Sequence, residues 1–409
     1  MNLDRCRAAL AEARLDALLL LSPRHTYYAT GYRHWFLNLY AEAGYAAAIV
    51  PADPAIAPLA VCTDVEEPNF RTTAPEFSDV ATYRAWVAYG DIPAPGDDDP
   101  FELMARALAD QPDARAGLLD PEAVTRLITE RMKSAGLGRG RIGIESAFVS
   151  ARAMGWLRAA LPDCEFFDAG RLIKLLRAVK SPAEAGLLRL GTQLCERAIT
   201  DVIASLRERM TASEIARIYR ASVFNHAPDG RVLNARVTLR VGPDALLPAS
   251  SGGYRLRRGD LIFLDCGVDV AGYWADMGRC AVFGQASPAQ RKVYSALRAG
   301  FDAATAIAQV GAPLREVFDA GLGAVRAAGM TSYTRGNLGH GIGLHPAPEL
   351  PIVSHEETLA LQPGNVVSIE FPIYMNGLGA LQVEDTFYFL GGGSREVFNT
   401  LSREMAETG

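Results

Sequence analysis

Cysteine is scarce in this chain of 409 residues, and its six cysteines are scattered without a C-x-x-C pair. This spacing is not that of a paired-thiolate metal or redox site, and we expect reduced, buried thiols. Long apolar runs are also missing. The first residues, MNLDRCRAAL, contain no signal-peptide-like stretch, and Leu18–Leu21 is too short to span a bilayer.

The chain also lacks a large excess of positive or negative charge, since its formal net charge is only -6 and no charged run is longer than Asp97-Asp98-Asp99. A nucleic-acid-binding protein would normally show basic clusters, which this chain lacks. We therefore expect a cytoplasmic protein of two globular domains, with no nucleic-acid partner and no membrane partner.

The first 168 residues alternate between strand-like and helical patterns, which predicts an α/β layer domain. Strands are expected at 16–22, 46–50, 59–62 and 141–144, and an aromatic loop at Tyr27–Tyr32. Residues 169–409 begin with a connecting helix that ends at Pro182. A long helix over 184–209 and a capping box at Thr211 follow, and the second domain then mixes helices with strands, so the fold class is α/β (α+β).

A strand-like hairpin in the second domain carries two aspartates. Leu261 to Val270 and Tyr273 to Val282 read as strands joined at Ala271-Gly272. If the chain reverses at Val270-Ala271, Asp265 and Asp276 are cross-strand partners with Cβ atoms about 4.5–5.5 Å apart. Two like charges so placed would repel, so either one carboxyl is protonated or a cation lies between them. A polar hairpin tip is the alternative interpretation.

A second pair of strands places two glutamates opposite each other. Val366–Tyr374 and Ala380–Leu390 flank a glycine-bearing turn, and centring the pair on Gly377 puts Glu370 opposite Glu384. His340 lies between glycines in the run GHGIG, where the backbone can approach a neighbour closely.

Together these residues form a candidate metal site. Four carboxylates and one imidazole suit manganese, Fe(II), cobalt or zinc better than a thiolate site would. Carboxylates in this number are typical of two ions about 3.5–4 Å apart. The candidate ligands are Asp265, Asp276, His340, Glu370 and Glu384.

The order of these residues resembles that of the M24-type metallopeptidases, the group of methionine aminopeptidase, aminopeptidase P, prolidase and creatinase. The resemblance implies a creatinase-like N-terminal domain at 1–168 and a pita-bread catalytic domain at 169–409. It also implies that Asp276 and Glu384 bridge two divalent ions (manganese, iron, cobalt or zinc), that Asp265 chelates one of them, and that His340 and Glu370 hold the other. Glu370 is then also the general base for a water that bridges the ions, and a homodimer is expected.

The chain departs from this family pattern in two places. Members usually carry a histidine after a G-P-N-x-x-x-P-like segment, where this chain has Ala249, and a second one seven residues after the ligand histidine, where it has Ala347. His345 lies five residues after His340, and it is either a relocated catalytic partner or a solvated loop residue. The substrate-binding residues are unknown, although Arg231, Arg236 and Arg240 are candidates for binding a substrate carboxylate.

Three functions stay open at this point. The first is a dinuclear metal hydrolase that cleaves a peptide or amide C–N bond in a small substrate, similar to an Xaa-Pro aminopeptidase or dipeptidase. The second is a metal-dependent lyase or other non-peptidase enzyme that acts on a small molecule. The third is a binding protein that keeps the fold, which the clustered buried carboxylates disfavour because they would be costly without ions.

Overall fold

The computed structural model describes residues 1–87, 90–94, 98–109, 119–228, 230–245 and 253–408. Ala249 lies outside these ranges. The chain divides into two compact units, Met1–Leu176 and Arg177–Gly409, and the predicted domain division after residue 168 stays a proposal. Within the described ranges, every helix is too short or too polar to serve as a membrane span. All six cysteines are free thiols; five are buried as predicted, whereas Cys164 is only partly buried.

The first unit is built on a six-stranded sheet with the order β4-β3-β2-β1-β5-β6. Strand β1 pairs antiparallel with β2 and parallel with β5, so the sheet is mixed. Every residue of β1, β2 and β3 is buried, which explains why these strands read as continuous apolar runs. The strands are β1 (Ala17–Leu20), β2 (Ala47–Pro51), β3 (Leu59–Thr63), β4 (Asp79–Tyr83), β5 (Gly140–Ile144) and β6 (Cys164–Asp168).

The helices of the first unit include one in a segment where a loop was predicted. Tyr27 and Tyr28 lie in a helix that starts at Pro23, with the Ser22 side chain accepting a hydrogen bond from His25 N. The predicted aromatic loop is therefore wrong, because a proline that ends one strand can equally occupy the first turn of a helix. The helices are α1 (Leu3–Glu12), α2 (Pro23–Thr30), α3 (Trp35–Tyr40), α4 (Glu67–Thr73), α5 (Pro100–Ala107), α6 (Pro121–Ser134), α7 (Ala151–Ala160) and α8 (Gly170–Ala178), the last of which runs into the second unit.

The second unit contains a nine-stranded sheet in which seven strands follow the order β11-β10-β12-β15-β9-β8-β7. Strand β16 pairs with β15, β17 pairs with β9, and β13 and β14 form a separate two-stranded hairpin. The strands are β7 (Val232–Val241), β8 (Leu261–Val270), β9 (Tyr273–Phe283), β10 (Gly339–Gly341), β11 (Glu349–Ile352), β12 (Val366–Glu370), β13 (Ile373–Met375), β14 (Gly379–Leu381), β15 (Glu384–Phe389), β16 (Arg395–Val397) and β17 (Ala406–Thr408).

Four helices of the second unit pack against this sheet in two pairs. Capping boxes begin three of them, and the one predicted at Thr211 is confirmed. The first pair of helices shares a hydrophobic core with β7, β8 and β9, and the second pair shares one with β12 and β15. The helices are α9 (Pro182–Ser205), α10 (Ala212–His226), α11 (Pro288–Ile307) and α12 (Leu314–Ala327).

Strand alternation directs the candidate ligands away from these helices. In β8, Leu264 and Cys266 enter the core shared with α9 and α10, so Asp265 between them faces the opposite side of the sheet. In β12, Val367 and Ile369 enter the core shared with α11 and α12, which leaves Glu370 on the other face. The apolar packing of each strand thus fixes which face carries the polar site.

Candidate metal centre

The first predicted hairpin forms, but its register differs from the expected one. Asp265 pairs with Gly278 and Asp276 pairs with Gly267, so the two aspartates are diagonal neighbours rather than direct partners. The expected pairing is wrong because the chain reverses between Ala271 and Gly272, which have φ angles of 50° and 91°. Positive φ at both central residues is the geometry of a two-residue hairpin turn. Moving the turn centre by one residue shifts the partner of each strand residue by two positions. Because side chains alternate with a period of two, both aspartates still lie on the same face of the sheet.

The second predicted pairing is confirmed, since Glu370 lies opposite Glu384 on β12 and β15. Glu384 also pairs with Gly278 on β9, which pairs with Asp265 on β8. One row across four strands therefore carries three of the candidate ligands. Glycine at position 278 leaves room for them, because a Cβ there would lie 2.8 Å from Glu384 Oε2.

A neighbouring row carries the imidazole and the remaining carboxylate. His340 pairs with Ser368, which lies two residues before Glu370 and therefore shares its face. Asp276 lies two residues before Gly278 on β9 and shares that face as well. The five candidate ligands thus lie on one side of the sheet, in two adjacent rows.

Glycines on both sides of His340 hold it in place, as the GHGIG run suggested. A Cβ at Gly341 would overlap the carbonyl oxygen of Leu350, and one at Gly339 would overlap that of Ser368. His340 Nδ1 lies 3.1 Å from Gly341 O and donates to it, which leaves Nε2 with the lone pair. Nε2 points towards Asp276 Oδ2, 3.9 Å away.

Three of the five residues can offer ligand atoms that all lie within 4.8 Å of one another, namely Asp276, His340 and Glu384. Two ligands of one ion with bonds of about 2.1 Å are at most about 4.2 Å apart, so the separation of 3.9 Å between His340 and Asp276 is compatible with a shared ion. Asp276 Oδ1 is buried without a hydrogen-bond partner among the described residues, as expected of an atom suited to a cation. The donor set therefore fits a divalent metal.

Hydrogen bonds from neighbouring side chains orient the carboxylates. Ser368 Oγ donates to Glu384 Oε1 at 2.6 Å. On the other side of β15, the buried Arg279 guanidinium donates to the backbone oxygen of Glu384 at 2.5 Å and to Asp385 Oδ1 at 2.6 Å. Gln382, two residues before Glu384, donates through Nε2 to Leu264 O on β8 at 3.1 Å. Such contacts around a metal ligand fix its direction.

The electrostatics of the cluster favour a bound cation. Burial raises the pKa of Asp276 well above its usual range, and the neighbouring Asp265 raises it further. Burial, followed by the charge of Asp276, likewise raises the pKa of Glu384 well above its usual range. The pKa of Asp265 is also raised, again by burial first, although Arg236 opposes the shift. A cation among these groups would offset both the burial and the mutual repulsion.

Two arginines approach the carboxylates directly. Arg236 Nη2 lies 3.6 Å from Asp276 Oδ1 and 3.8 Å from Asp265 Oδ1. Burial lowers the pKa of Arg236, but the charges of Asp276 and Asp265 outweigh it, so the pKa is raised. Arg335 Nη2 lies 3.2 Å from Glu370 Oε1. Arg335 was not among the residues predicted for the site, since its only signal in the sequence is a cation five residues before His340.

His345 lies in the loop after β10, where its backbone N–H donates to Glu349 Oε1 at 2.7 Å. The Ala347 N–H donates to His345 Nδ1 at 3.0 Å, so Nδ1 is the unprotonated nitrogen and Nε2 carries the proton. The side chain is therefore a hydrogen-bond donor through Nε2. Its participation in catalysis stays a prediction.

The second unit thus carries buried carboxylates and an imidazole on one face of its sheet, in an arrangement suited to a divalent metal, and a separate α/β unit precedes it in the chain. Residues 186–389 match the model of metallopeptidase family M24, and residues 2–179 match the creatinase/prolidase N-terminal domain. The chain belongs to metallopeptidase family M24, which confirms the family resemblance and the pita-bread fold of the second unit.

Known proteins agree with this assignment. The chain is 24% identical over 287 residues to an uncharacterized peptidase of Staphylococcus saprophyticus, covering 70% of this chain and 81% of that protein. It resembles the Xaa-Pro dipeptidase of Bacillus anthracis at a TM-score of 0.76 and 18% identity, over 99% of this chain and 98% of that one. The corresponding values for a dipeptidase of Pyrococcus horikoshii are 0.77 and 21%, over 100% of both chains. At these identities the structural likeness establishes the fold.

Proposed function

We propose that this protein is a dinuclear metal-dependent hydrolase that cleaves a peptide or amide C–N bond in a small substrate, with Xaa-Pro peptides as the first class to test. The observation that carries the proposal is the placement of Asp265, Asp276, His340, Glu370 and Glu384 on one face of the sheet. In this proposal Asp276 and Glu384 would hold both ions, Asp265 would hold one of them, and His340 and Glu370 would hold the other. The domain division after residue 168, a cytoplasmic location and a homodimer belong to the same proposal.

The bound ions would supply a Lewis acid for the substrate carbonyl and lower the pKa of an attacking water. Glu370 is the proposed general base: it would accept a proton of that water as the water oxygen adds to the carbonyl carbon, and it would pass this proton to the nitrogen as the C–N bond breaks. Arg335 donates to Glu370 Oε1 and so orients the carboxylate. Because Arg335 is only partly buried, its remaining N–H groups are candidates for binding a substrate carboxylate.

His345 is the proposed donor to the substrate. Because Nδ1 accepts the Ala347 N–H, Nε2 is the nitrogen that carries the proton. A neutral imidazole in this tautomer can donate to a carbonyl oxygen whose negative charge grows as water attacks. This role replaces the histidine that family members carry at the position of Ala347.

A lyase or other non-peptidase enzyme is the second candidate, and the residue at position 347 is the observation that favours it. Ala347 offers no side-chain donor, and its backbone N–H is already given to His345. An elimination reaction needs a Lewis acid and a base such as Glu370, but no proton donor for an amine leaving group.

The deciding experiment is proline release from Xaa-Pro dipeptides and tripeptides by protein loaded separately with manganese, Fe(II), cobalt or zinc. We expect turnover with at least one metal and a loss of about 10²–10⁴-fold in Glu370→Gln. The matched control is Glu316→Gln, which neutralises an exposed carboxylate on α12. If the fully metal-loaded protein does not hydrolyse any of these peptides, Xaa-Pro hydrolysis is refuted. Other amides and elimination substrates are then the next panel.

A further inference from the structure

Arg236 occupies a distinctive position beside the metal centre. It lies on β7 opposite Gly267 of β8, and Gly267 in turn lies opposite Asp276 of β9. A Cβ at position 267 would lie 3.5 Å from Arg236 Nε, an ordinary contact distance, so the Arg236 side chain lies directly over this glycine on its way to the aspartates. The sequence indicated a cation on this strand but not the residues it reaches.

The guanidinium acts on the aspartates through its charge rather than as a hydrogen-bonded fork. Its distances of 3.8 Å to Asp265 Oδ1 and 3.6 Å to Asp276 Oδ1 exceed those of good charge-assisted hydrogen bonds. Among the described residues, both Arg236 Nε and Asp276 Oδ1 are buried without a hydrogen-bond partner. The interaction is therefore one that another cation at the same carboxylates can replace.

The two halves of the proposed centre differ in whether their candidate ligand atoms already converge. On the His340 side, ligand atoms of Asp276, His340 and Glu384 already converge. Within the described ranges, Asp265 belongs to no such converging group, and its Oδ1 faces Arg236 instead. A divalent ion bound by Asp265 and Asp276 would lie close to this guanidinium and be repelled by it.

We propose that Arg236 is a resident cation that competes with a divalent ion for Asp265 and Asp276. The His340 half of the centre then fills first and tightly, whereas the Asp265 half fills weakly and only as the Arg236 side chain moves aside. The side chain is 38% exposed, which gives the guanidinium a route towards solvent. This inference rests on the proposed metal centre and adds the residue that sets the order and strength of metal loading.

The test is the binding of Mn(II) to the metal-free full-length chain, measured by equilibrium dialysis with elemental analysis and by electron paramagnetic resonance. In the wild type we expect one tightly bound ion and a second that binds at least about tenfold more weakly. In Arg236→Gln we expect the second ion to bind at least about tenfold more tightly than in the wild type, with the spectrum of a coupled manganese pair appearing at lower free Mn(II).

Two further variants control for charge and for folding. Arg236→Lys keeps a cation at this position, so we expect loading like that of the wild type. Arg220→Gln removes the same charge from an exposed position on α10 and should also leave metal loading unchanged. Equal affinity for the second ion in the wild type and in folded Arg236→Gln would overturn the inference while leaving the metal centre intact. If the wild type binds neither Mn(II) nor any of Fe(II), cobalt and zinc, the proposed function itself fails.

Discussion

Phe371 directly follows the proposed general base Glu370 and packs between two helices at glycines. A Cβ at Gly321 of α12 would lie 2.5 Å from Phe371 Cζ and 3.1 Å from the Cβ of Ala304 on α11. Phe371 is fully buried, so its ring cannot move into solvent to relieve the overlap. We expect Gly321→Ala to destabilise the fold by about 1–3 kcal/mol, the usual cost of overpacking a core.

Gly323, on the same helix, supplies the matched control. It is exposed, and a Cβ added there would meet nothing within 4 Å. Gly323→Ala should therefore stabilise the fold by about 0.5–1 kcal/mol, because alanine loses less backbone entropy than glycine in a helix. The same chemical change thus has opposite signs at two positions separated by one residue.

Calorimetry of the metal-loaded full-length variants measures both effects. With about 2–4 °C per kcal/mol for a unit of this size, the melting temperature should fall by roughly 2–12 °C in Gly321→Ala and rise by roughly 1–4 °C in Gly323→Ala. Adding Phe371→Leu should recover part of the loss, with a coupling of about 0.5–3 kcal/mol. A Gly321→Ala protein that melts at or above the wild-type temperature would refute the packing argument.

The remaining predictions concern the metal and the substrate. Asp276→Ala should lose both ions in elemental analysis, and full metal content would contradict its shared role. Ser368→Ala should weaken metal binding by about 10–100-fold because Glu384 loses its orienting donor. Burial and mutual repulsion raise the pKa of the site carboxyls, so protons compete with the metal ions for them as the pH falls. Equilibrium dialysis should therefore show that metal affinity falls from about pH 7 to about pH 4.5. Metal content that stays constant over this range would count against carboxylate ligands. His345→Ala should lower kcat/KM by about 10²–10³-fold with metal retained, and an unchanged value removes this residue from the site.

The second hairpin shows how far sequence reasoning reaches. The pairing of Glu370 with Glu384 follows from centring two strand-like runs on Gly377, and the structure has this register. The small strands β13 and β14 continue the same register up to the turn, where Gly377 has a φ of 93°. A glycine-centred turn between two clear strand patterns leaves few alternative registers, so the sequence was sufficient to predict this pairing.

The first hairpin shows where that reasoning is less secure. The run Val270-Ala271-Gly272 allows two turn centres, and the expected one gave the wrong partner for Asp265 and Asp276. The face of each aspartate was nevertheless predictable, because side chains alternate with a period of two and the intervening residues are apolar. Which residues lie directly opposite the two aspartates was not predictable from the sequence.

The sequence by itself determined the family, the oxygen-rich set of candidate ligands and the sheet face on which they lie, because residue type and strand periodicity are local properties. Tertiary structure alone decided which ligands converge and which cations approach them. Arg236 is 29 residues before Asp265 in the chain, and Arg335 is 35 residues before Glu370. Their proximity to these carboxylates depends on how β7 pairs with β8 and on where the loop before β10 runs, and no local pattern encodes either arrangement.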